Sequence, residues 1–323
     1  MEYQKALITG GVGFVGSHLA KSLLDAGKEV TIIDDLSTGN MRNLKGYEDH
    51  HNLELIISSV LDEKILEQPV RDCDVVFHLA SSVGVKLLMQ QPIYSIENIF
   101  MGTSNLLKFA SKYRKKILIT STSEVYGKST KIPFKEGDDS LIGPSDKRRW
   151  AYAQAKSLDE FLGFAYHSEY NLPVVITRLF NTVGPNQTGQ YGMVIPNFVN
   201  SAMRGNDLEV YGDGAQTRCF CHVDDVIRAL ELAMSSDISV GKVINIGSNN
   251  EISINELANR IIELSSSSSG IKHVPYDVAY PMGGYEDMRR RVPCIDLSNK
   301  ILGWQPKKSL DEIINSVLDT SAE

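Results

Sequence analysis

The sequence predicts an α/β fold built on a doubly wound parallel sheet, with a smaller α/β region towards the C-terminus. Three observations predict it. Short apolar runs alternate with helix-periodic segments through the first half of the chain. A glycine-rich turn at residues 10–16 joins the first apolar run directly to the first helical segment. The second half has shorter, less regular elements, and no proline-rich linker separates it from the first.

Residues 5–9 read as the first strand. Residues 17–26 have helical periodicity, with Leu19, Leu23 and Leu24 on one face. Gly27 suits a helix C-cap, and residues 29–33 read as the second strand. The runs 53–60, 75–79, 116–120 and 173–178 are further buried strands, with helices between them. This alternation implies a parallel sheet covered on both faces. Further on, the Gly-rich, polar segment 184–192 is a loop. Residues 208–211, 218–222 and 242–246 are short strands, and 254–264 and 310–318 are helical. The serine run 265–269, followed by Gly270, predicts a flexible surface turn. No internal repeat is visible.

A chain of 323 residues can bury a sizeable core as one large domain or two small ones. Its net charge of −7 argues against general nucleic-acid binding. Cys73, Cys219, Cys221 and Cys294 have no metal-ligand spacing, so no metal site is expected and buried free thiols are. Nothing resembles a signal peptide, and no apolar run reaches the roughly 18 residues of a membrane span. No membrane partner is expected, and a reducing, cytoplasmic setting is the default expectation.

Gly10, Gly13 and Gly16 form a G-x-x-G-x-x-G pattern between a strand and a helix. In that context glycine lets the backbone approach a pyrophosphate, and the helix N-terminus supplies unpaired N–H groups and partial positive charge. The second strand ends at Asp34. A carboxylate there accepts hydrogen bonds from ribose hydroxyls and repels a 2′-phosphate, which favours NAD over NADP. No arginine immediately follows Asp34.

Tyr152 and Lys156 are four apart in a helical segment, 150–161, and so share one face. A neighbouring ammonium moves a tyrosine pKa from about 10 towards neutrality. Such a tyrosine can take a proton from a hydroxyl while hydride leaves the same carbon. The end of the preceding buried strand, ITSTSEVYG at 119–127, supplies a hydroxyl partner where ligands bind in open α/β sheets.

Several motifs follow one another in a familiar order. They are TGGVGFVGSHL at 9–19, HLAS at 78–81, STSEVYG at 121–127, YAQAK at 152–156, RLFNTVGP at 178–185, VYGDGAQTRCFCHVDD at 210–225 and NIGS at 245–248. They resemble the extended short-chain dehydrogenases/reductases, which include NAD-dependent nucleotide-sugar epimerases, dehydratases and decarboxylases. The resemblance covers nearly the whole chain. It implies a Rossmann-type domain over residues 1–180, and a mainly nucleotide-sugar-binding region over 181–323 with some chain crossing back. It also implies cofactor contacts from Gly10, Gly13, Phe14, Val15, Gly16, Asp34, Leu79, Ala80, Ser81 and Thr120. Thr122 matches the catalytic hydroxyl, Tyr152 the base and Lys156 the lysine that holds the nicotinamide ribose. Asn181, Arg218 and Arg291 match ligands of the nucleotide diphosphate or the sugar. A homodimer through a four-helix bundle containing the Tyr-Lys helix is implied as well. Two positions depart from the pattern. Ser58-Ser59-Val60 stands where an adenine-binding Asp is usual, leaving adenine contacts to the backbone or Ser59. Ile99 stands where an Asn is usual, with Asn98 one residue earlier.

Three further likenesses bear on the reaction. Thr122-Ser123-Glu124, GPSDKRRWAYAQAK at 143–156 and Arg291-Val292-Pro293-Cys294-Ile295 resemble UDP-glucuronate decarboxylases. By that resemblance Ser123 and Glu124 join the catalytic set, and Arg291 orients the sugar carboxylate. Oxidation at C4 of a glucuronate gives a β-keto acid, which loses carbon dioxide readily. Glu124 beside that carboxylate would destabilise the charged ground state or act as a protonated donor. A turn-capping carboxylate is the plain alternative for Glu124. A UDP-hexose or UDP-hexuronate 4-epimerase remains the alternative reaction. A 4,6-dehydratase and a non-catalytic NAD-binding protein follow, disfavoured by the missing Asp of the Asp-Glu pair and by the intact Thr, Tyr and Lys.

Overall fold

The computed structural model describes residues 2–81, 91–189, 192–280 and 286–321. Its strands are β1 (Lys5–Thr9), β2 (Glu29–Asp34), β3 (Leu53–Ile57), β4 (Val75–His78), β5 (Lys116–Thr122), β6 (Val174–Leu179), β7 (Thr182–Val183), β8 (Leu208–Tyr211), β9 (Thr217–Cys219), β10 (Cys221–His222), β11 (Lys242–Ile246), β12 (Glu251–Ser253) and β13 (Ile271–Val274). Its α-helices are α1 (Phe14–Asp25), α2 (Glu63–Asp72), α3 (Pro92–Tyr113), α4 (Ala151–Tyr170), α5 (Val194–Met203), α6 (Val223–Ser235), α7 (Ile254–Leu264), α8 (Tyr276–Ala279), α9 (Asp296–Leu302) and α10 (Leu310–Ser321).

Among the described residues, one seven-stranded sheet has the order β11-β6-β5-β4-β1-β2-β3, every pair parallel. Its central strands β1, β4, β5 and β6 are largely apolar runs because both faces are covered there. On one face Leu19, Leu23, Val226 and Leu230 of α1 and α6 pack with Ile8, Ile32 and Trp304. On the other, Leu66, Val70, Leu106 and Leu107 of α2 and α3 pack with Leu7, Ile33, Ile117 and Ile176. A third core joins α5, α7 and α10 to β8 through Ile195, Phe198, Leu208, Leu257, Ile261 and Ile314. The chain crosses back twice after residue 180: first α6 packs beside α1 and β11 adds to the main sheet against β6, and later α9 and Trp304 return to the same face.

The doubly wound parallel sheet is as expected, and some element boundaries move. β3 stops at Ile57, three residues early: Ser58 N makes the last rung, to the carbonyl of Asp34, where its partner β2 ends. The strand expected at 218–222 is two strands broken at Phe220: β9 runs antiparallel to β12, and β10 parallel to β7. β5 extends to Thr122, and α4 continues to Tyr170, where Asn171 adopts the left-handed conformation (φ 55°) that ends helices. The serine run forms a hydrogen-bonded turn, with Ser267 Oγ donating to the Ala202 carbonyl.

Candidate active site

The strand order reverses between β4 and β1, so their C-terminal ends diverge and leave a crevice. A cleft of about 1730 Å³ begins there, at Gly10, Gly13 and Asp34, and runs past Thr122 and Tyr152 to Arg218, Tyr276 and Arg291. Pockets for one drug-sized ligand are commonly about 300–1,000 Å³, so this cleft has room for a dinucleotide and a second ligand together.

At its first end the residues fit a dinucleotide. Gly10 has φ 73°, and a Cβ there would lie 2.7 Å from Ala80 N, so only glycine allows the loop and the β4 end to close up. Gly13 is the N-cap of α1 and makes no side-chain cap bond, leaving the helix N-terminus open towards the cleft. Asp34, buried at the end of β2, accepts from Val12 N and Leu36 N, both at 2.9 Å. Burial pushes its carboxyl up, and those N–H groups oppose the rise. One bond to each oxygen fixes the carboxylate and leaves lone pairs for ribose hydroxyls. Ser58 and Val60 line the cleft beside it, whereas Ser59 Oγ accepts from Leu61 N. Ser59, expected there as the alternative to a backbone contact, does not line the cleft. Asn98 lines the cleft and Ile99 is buried in the helix core, so the departure from the pattern is a one-residue shift.

The middle of the cleft is built by β4, β5 and α4. Leu79, Ala80, Ser81 and Thr120 line it, and Thr120 Oγ1 is tied to the His78 carbonyl at 3.1 Å. Thr122 Oγ1 accepts from Glu124 N at 3.2 Å and so caps the 3₁₀ turn Ser123–Tyr126. The Ser81 and Thr122 hydroxyls both face the Tyr152 phenol. Lys156 is the exception among the expected site residues, since the rest all line the cleft. It is 2% exposed, and its ammonium sits 2.7 Å from Asp159 Oδ2, behind the cleft wall. The lowering of Tyr152 expected from Lys156 is corrected by this arrangement. Burial first, then the charge of Glu124, pushes the phenol above its ordinary value, with Asp159 adding to the rise and the two hydroxyls opposing it.

The far end is a charged cluster. Glu124 Oε1 is 2.7 Å from Arg291 Nη2, and Oε2 is 2.5 Å from Arg149 Nη2. All three side chains are buried. Burial would raise the Glu124 carboxyl, yet Arg291 and Arg149 outweigh it and hold the group below the usual carboxylate range. This corrects two expectations. Glu124 does not cap the turn, since Thr122 does, and it is held ionised rather than as a protonated donor. Two guanidiniums share one carboxylate, and Arg291 Nε is buried with no hydrogen-bond partner. Ser123 lies between Thr122 and Glu124 on the cleft wall. Arg218 Nη1 donates to the carbonyls of Thr217 (2.7 Å) and Met288 (2.8 Å), and Nη2 pairs with Asp287 Oδ1 at 2.5 Å. Asn181 Nδ2 donates to the Cys219 carbonyl at 2.9 Å, which fixes its amide at the β6 end.

Sequence reasoning missed Arg149, Asp159 and Asp287. Arg149 sits inside the quoted KRRW segment, where its burial and its contacts with Glu124 and the Glu286 carbonyl distinguish it from its exposed neighbour Arg148. The cysteines are unpaired thiols. Cys73, Cys219 and Cys221 are buried, and burial pushes Cys73 and Cys219 up to about 12. Among the described residues no group of His, Cys, Asp and Glu could hold a metal ion, and no helix is long and apolar enough to cross a membrane.

Comparison with known proteins agrees with this architecture. The family model for GDP-mannose 4,6 dehydratase matches residues 7–317. The chain is 44% identical over 313 residues to a UDP-N-acetyl-alpha-D-glucosaminuronate decarboxylase from Bacillus cytotoxicus, covering 96% of this chain and 95% of that protein. It is 36% identical over 309 residues to UDP-glucuronic acid decarboxylase 5 of Arabidopsis thaliana, covering 95% and 86%. Its fold is similar to that of UDP-glucuronic acid 4-epimerase from Bacillus cereus, solved with UDP-glucuronic acid and NAD, at a TM-score of 0.87, 26% identity and 98% coverage of each chain. A match over nearly its whole length, on a sheet and cleft of this form, shows that the chain belongs to the GDP-mannose 4,6-dehydratase family of extended short-chain dehydrogenases/reductases.

Proposed function

We propose that this protein is an NAD-dependent decarboxylase of a UDP-hexuronate, converting UDP-glucuronate or its 2-acetamido analogue to the UDP-pentose. The observation that carries the reading is the Arg149–Glu124–Arg291 cluster beside Tyr152. Two buried guanidiniums around one carboxylate leave net positive charge and an unsatisfied donor, which suit the carboxylate of an acidic sugar. A neutral hexose needs no such seat.

In this reading residues 1–180 hold NAD, with the pyrophosphate at the open α1 N-terminus and a ribose on Asp34. Residues 181–323 mainly hold the nucleotide sugar, with Asn181 and Arg218 at the diphosphate. When bound, NAD supplies reversible hydride transfer at C4 of the sugar. Tyr152 takes the proton of the 4-hydroxyl, and Thr122 orients that hydroxyl. Arg291 then holds the carboxylate out of the ring plane, so that the C5–carboxylate bond breaks, carbon dioxide leaves and its electron pair enters the enolate. A proton delivered to C5 gives the 4-ketopentose, and Tyr152 returns its proton as C4 is reduced. Glu124, ionised, keeps both arginines in place and disfavours the carboxylate ground state. Supplying the enzyme with NAD and either UDP-glucuronate or UDP-N-acetylglucosaminuronate, and following products by NMR, tests the reading. Carbon dioxide with a UDP-pentose is expected, and a C4-inverted hexuronate with no carbon dioxide would replace it with 4-epimerisation. The likeness to the UDP-glucuronic acid 4-epimerase is what favours that second reading.

The homodimer expected from resemblance is supported by apolar side chains on two packed helices. Ile93 and Met101 of α3 and Leu158 and Phe161 of α4 are exposed, Ile93 and Phe161 at 72% each. Exposed apolar side chains on two helices in contact suit a second copy of the chain.

A further inference from the structure

Lys156 and Asp159 form an i,i+3 ion pair on α4 with 2% and 0% of their side chains exposed. Such burial is costly: removing both charges from water commonly outweighs their attraction, and an apolar pair of similar volume packs as well or better. Stability alone does not explain the pair. The second oxygen, Asp159 Oδ1, is buried without a hydrogen-bond partner, and the Thr103 hydroxyl of α3 faces the carboxylate. Behind Thr103, His78 Nε2 lies 3.0 Å from its Oγ1, and His78 Nδ1 lies 2.8 Å from Thr9 Oγ1. Burial holds His78 down at about 3, so it is neutral and adds no charge.

We propose that Asp159 is a positioning residue of the reaction: its buried carboxylate takes one of the three Lys156 ammonium donors, and so sets both the direction of the other two and the net charge that reaches Tyr152. The proposal rests on the reading above, in which Tyr152 is the base. Among the described residues, the charged and titratable groups around Tyr152, Lys156 and Asp159 are few. They are Glu124 from the turn after β5, held by Arg149 and Arg291, His78 from β4, and Glu160 on α4 itself, paired with Arg178. An ammonium alone would strongly favour phenolate. With Asp159 beside it, the pair is near neutral from the position of Tyr152, so the ammonium does not offset the burial and the Glu124 charge that hold the phenol high, and Asp159 adds to that rise.

The test is the pH dependence of kcat/KM in the NAD-loaded enzyme, wild type against Asp159→Asn and Asp159→Glu, with carbon dioxide release as the assay. Asp159→Asn removes the negative charge, so the acid limb should move to lower pH by about half a unit or more, a shift for which nearby charges suffice. Asp159→Glu keeps the charge and should return the limb to the wild-type position. Should Asp159→Asn not fold, Asp159→Ser, which admits water to the gap, is read in the same way. Complete loss of turnover in the neutral variants that Asp159→Glu restores also supports the proposal. An unmoved limb, whatever the loss of rate or thermal stability, overturns it, as does loss that Asp159→Glu does not restore. Neither result touches the decarboxylase reading, which stands or falls on the products of the wild-type enzyme.

Discussion

The Arg218 guanidinium and the Asp287 carboxylate are 2.5 Å apart, joining β9 to the segment that carries Arg291 four residues further on. Asp287 Oδ2 also accepts from the Tyr276 hydroxyl at 2.9 Å, and Oδ1 from Met288 N at 2.9 Å. Arg218 therefore reaches the cleft already held by one carboxylate and two carbonyls, with its remaining N–H groups available to a ligand.

Replacing Arg218 removes that pre-set donor and leaves Asp287 without its cation. Arg218→Ala should weaken UDP binding by about 10-fold or more, the loss of one charge-assisted hydrogen bond. Titration calorimetry with UDP measures this, and NAD binding in the same variant should be unchanged.

Tyr152→Phe removes the phenolic proton carrier and little else. Turnover should fall by about 10²- to 10⁴-fold, the usual range for a general base, with the thermal midpoint kept within a few degrees of wild type. Wild-type turnover in this variant would take Tyr152 out of the mechanism.

Glu124→Gln breaks the two-arginine cluster while keeping its shape. Carbon dioxide release should fall by about 10- to 100-fold, because the two arginines lose the ionised carboxylate that holds them. The same variant reports on stability. Burial raises the Glu124 carboxyl, but Arg291 and Arg149 together hold it below its ordinary value. Its stabilising contribution is therefore complete above the usual carboxylate range, near pH 4.3, and is lost as pH falls through the lowered folded value. Thermal melts of the wild type should accordingly fall more steeply with acidification than those of Glu124→Gln.

Gly16→Ala would drive a Cβ into the Gly10 carbonyl oxygen and against Gly11 Cα. Both obstacles are backbone, so the loop must open. A loss of about 1–3 kcal/mol in stability is expected, as for other overpacked sites, together with loss of bound NAD. Denaturant unfolding and the absorbance of the purified protein would show both.

Phe161→Asp places a charge on the exposed apolar face of α4. If that face covers a second copy of the chain, the variant should elute as a monomer where the wild type elutes as a dimer. Light scattering after gel filtration decides it, and equal masses would remove this face from the interface.

The sheet was legible because a parallel strand buried on both faces must be apolar along its length, and an intervening amphipathic helix has its own period. That is why 5–9, 242–246 and 254–264 coincide with β1, β11 and α7 residue for residue. The glycine turn and Asp34 were legible for a related reason: their chemistry depends on backbone conformation and on nearness along the chain. The charged end of the cleft was not. Arg149, Glu124, Arg218 and the pair Asp287 and Arg291 come from four separate stretches of sequence, and only the packing of the turn before α4, β9 and the 286–291 segment against the β5 end brings them together. The sequence marked Glu124 and Arg291 as residues of interest. It could not say that the carboxylate is ionised between two guanidiniums, because a pKa is set by burial and neighbours rather than by residue type. The same holds for Lys156. Its spacing from Tyr152 put both on one helical face, and the tertiary structure decided that its ammonium turns to Asp159, three residues on, in a site closed to water.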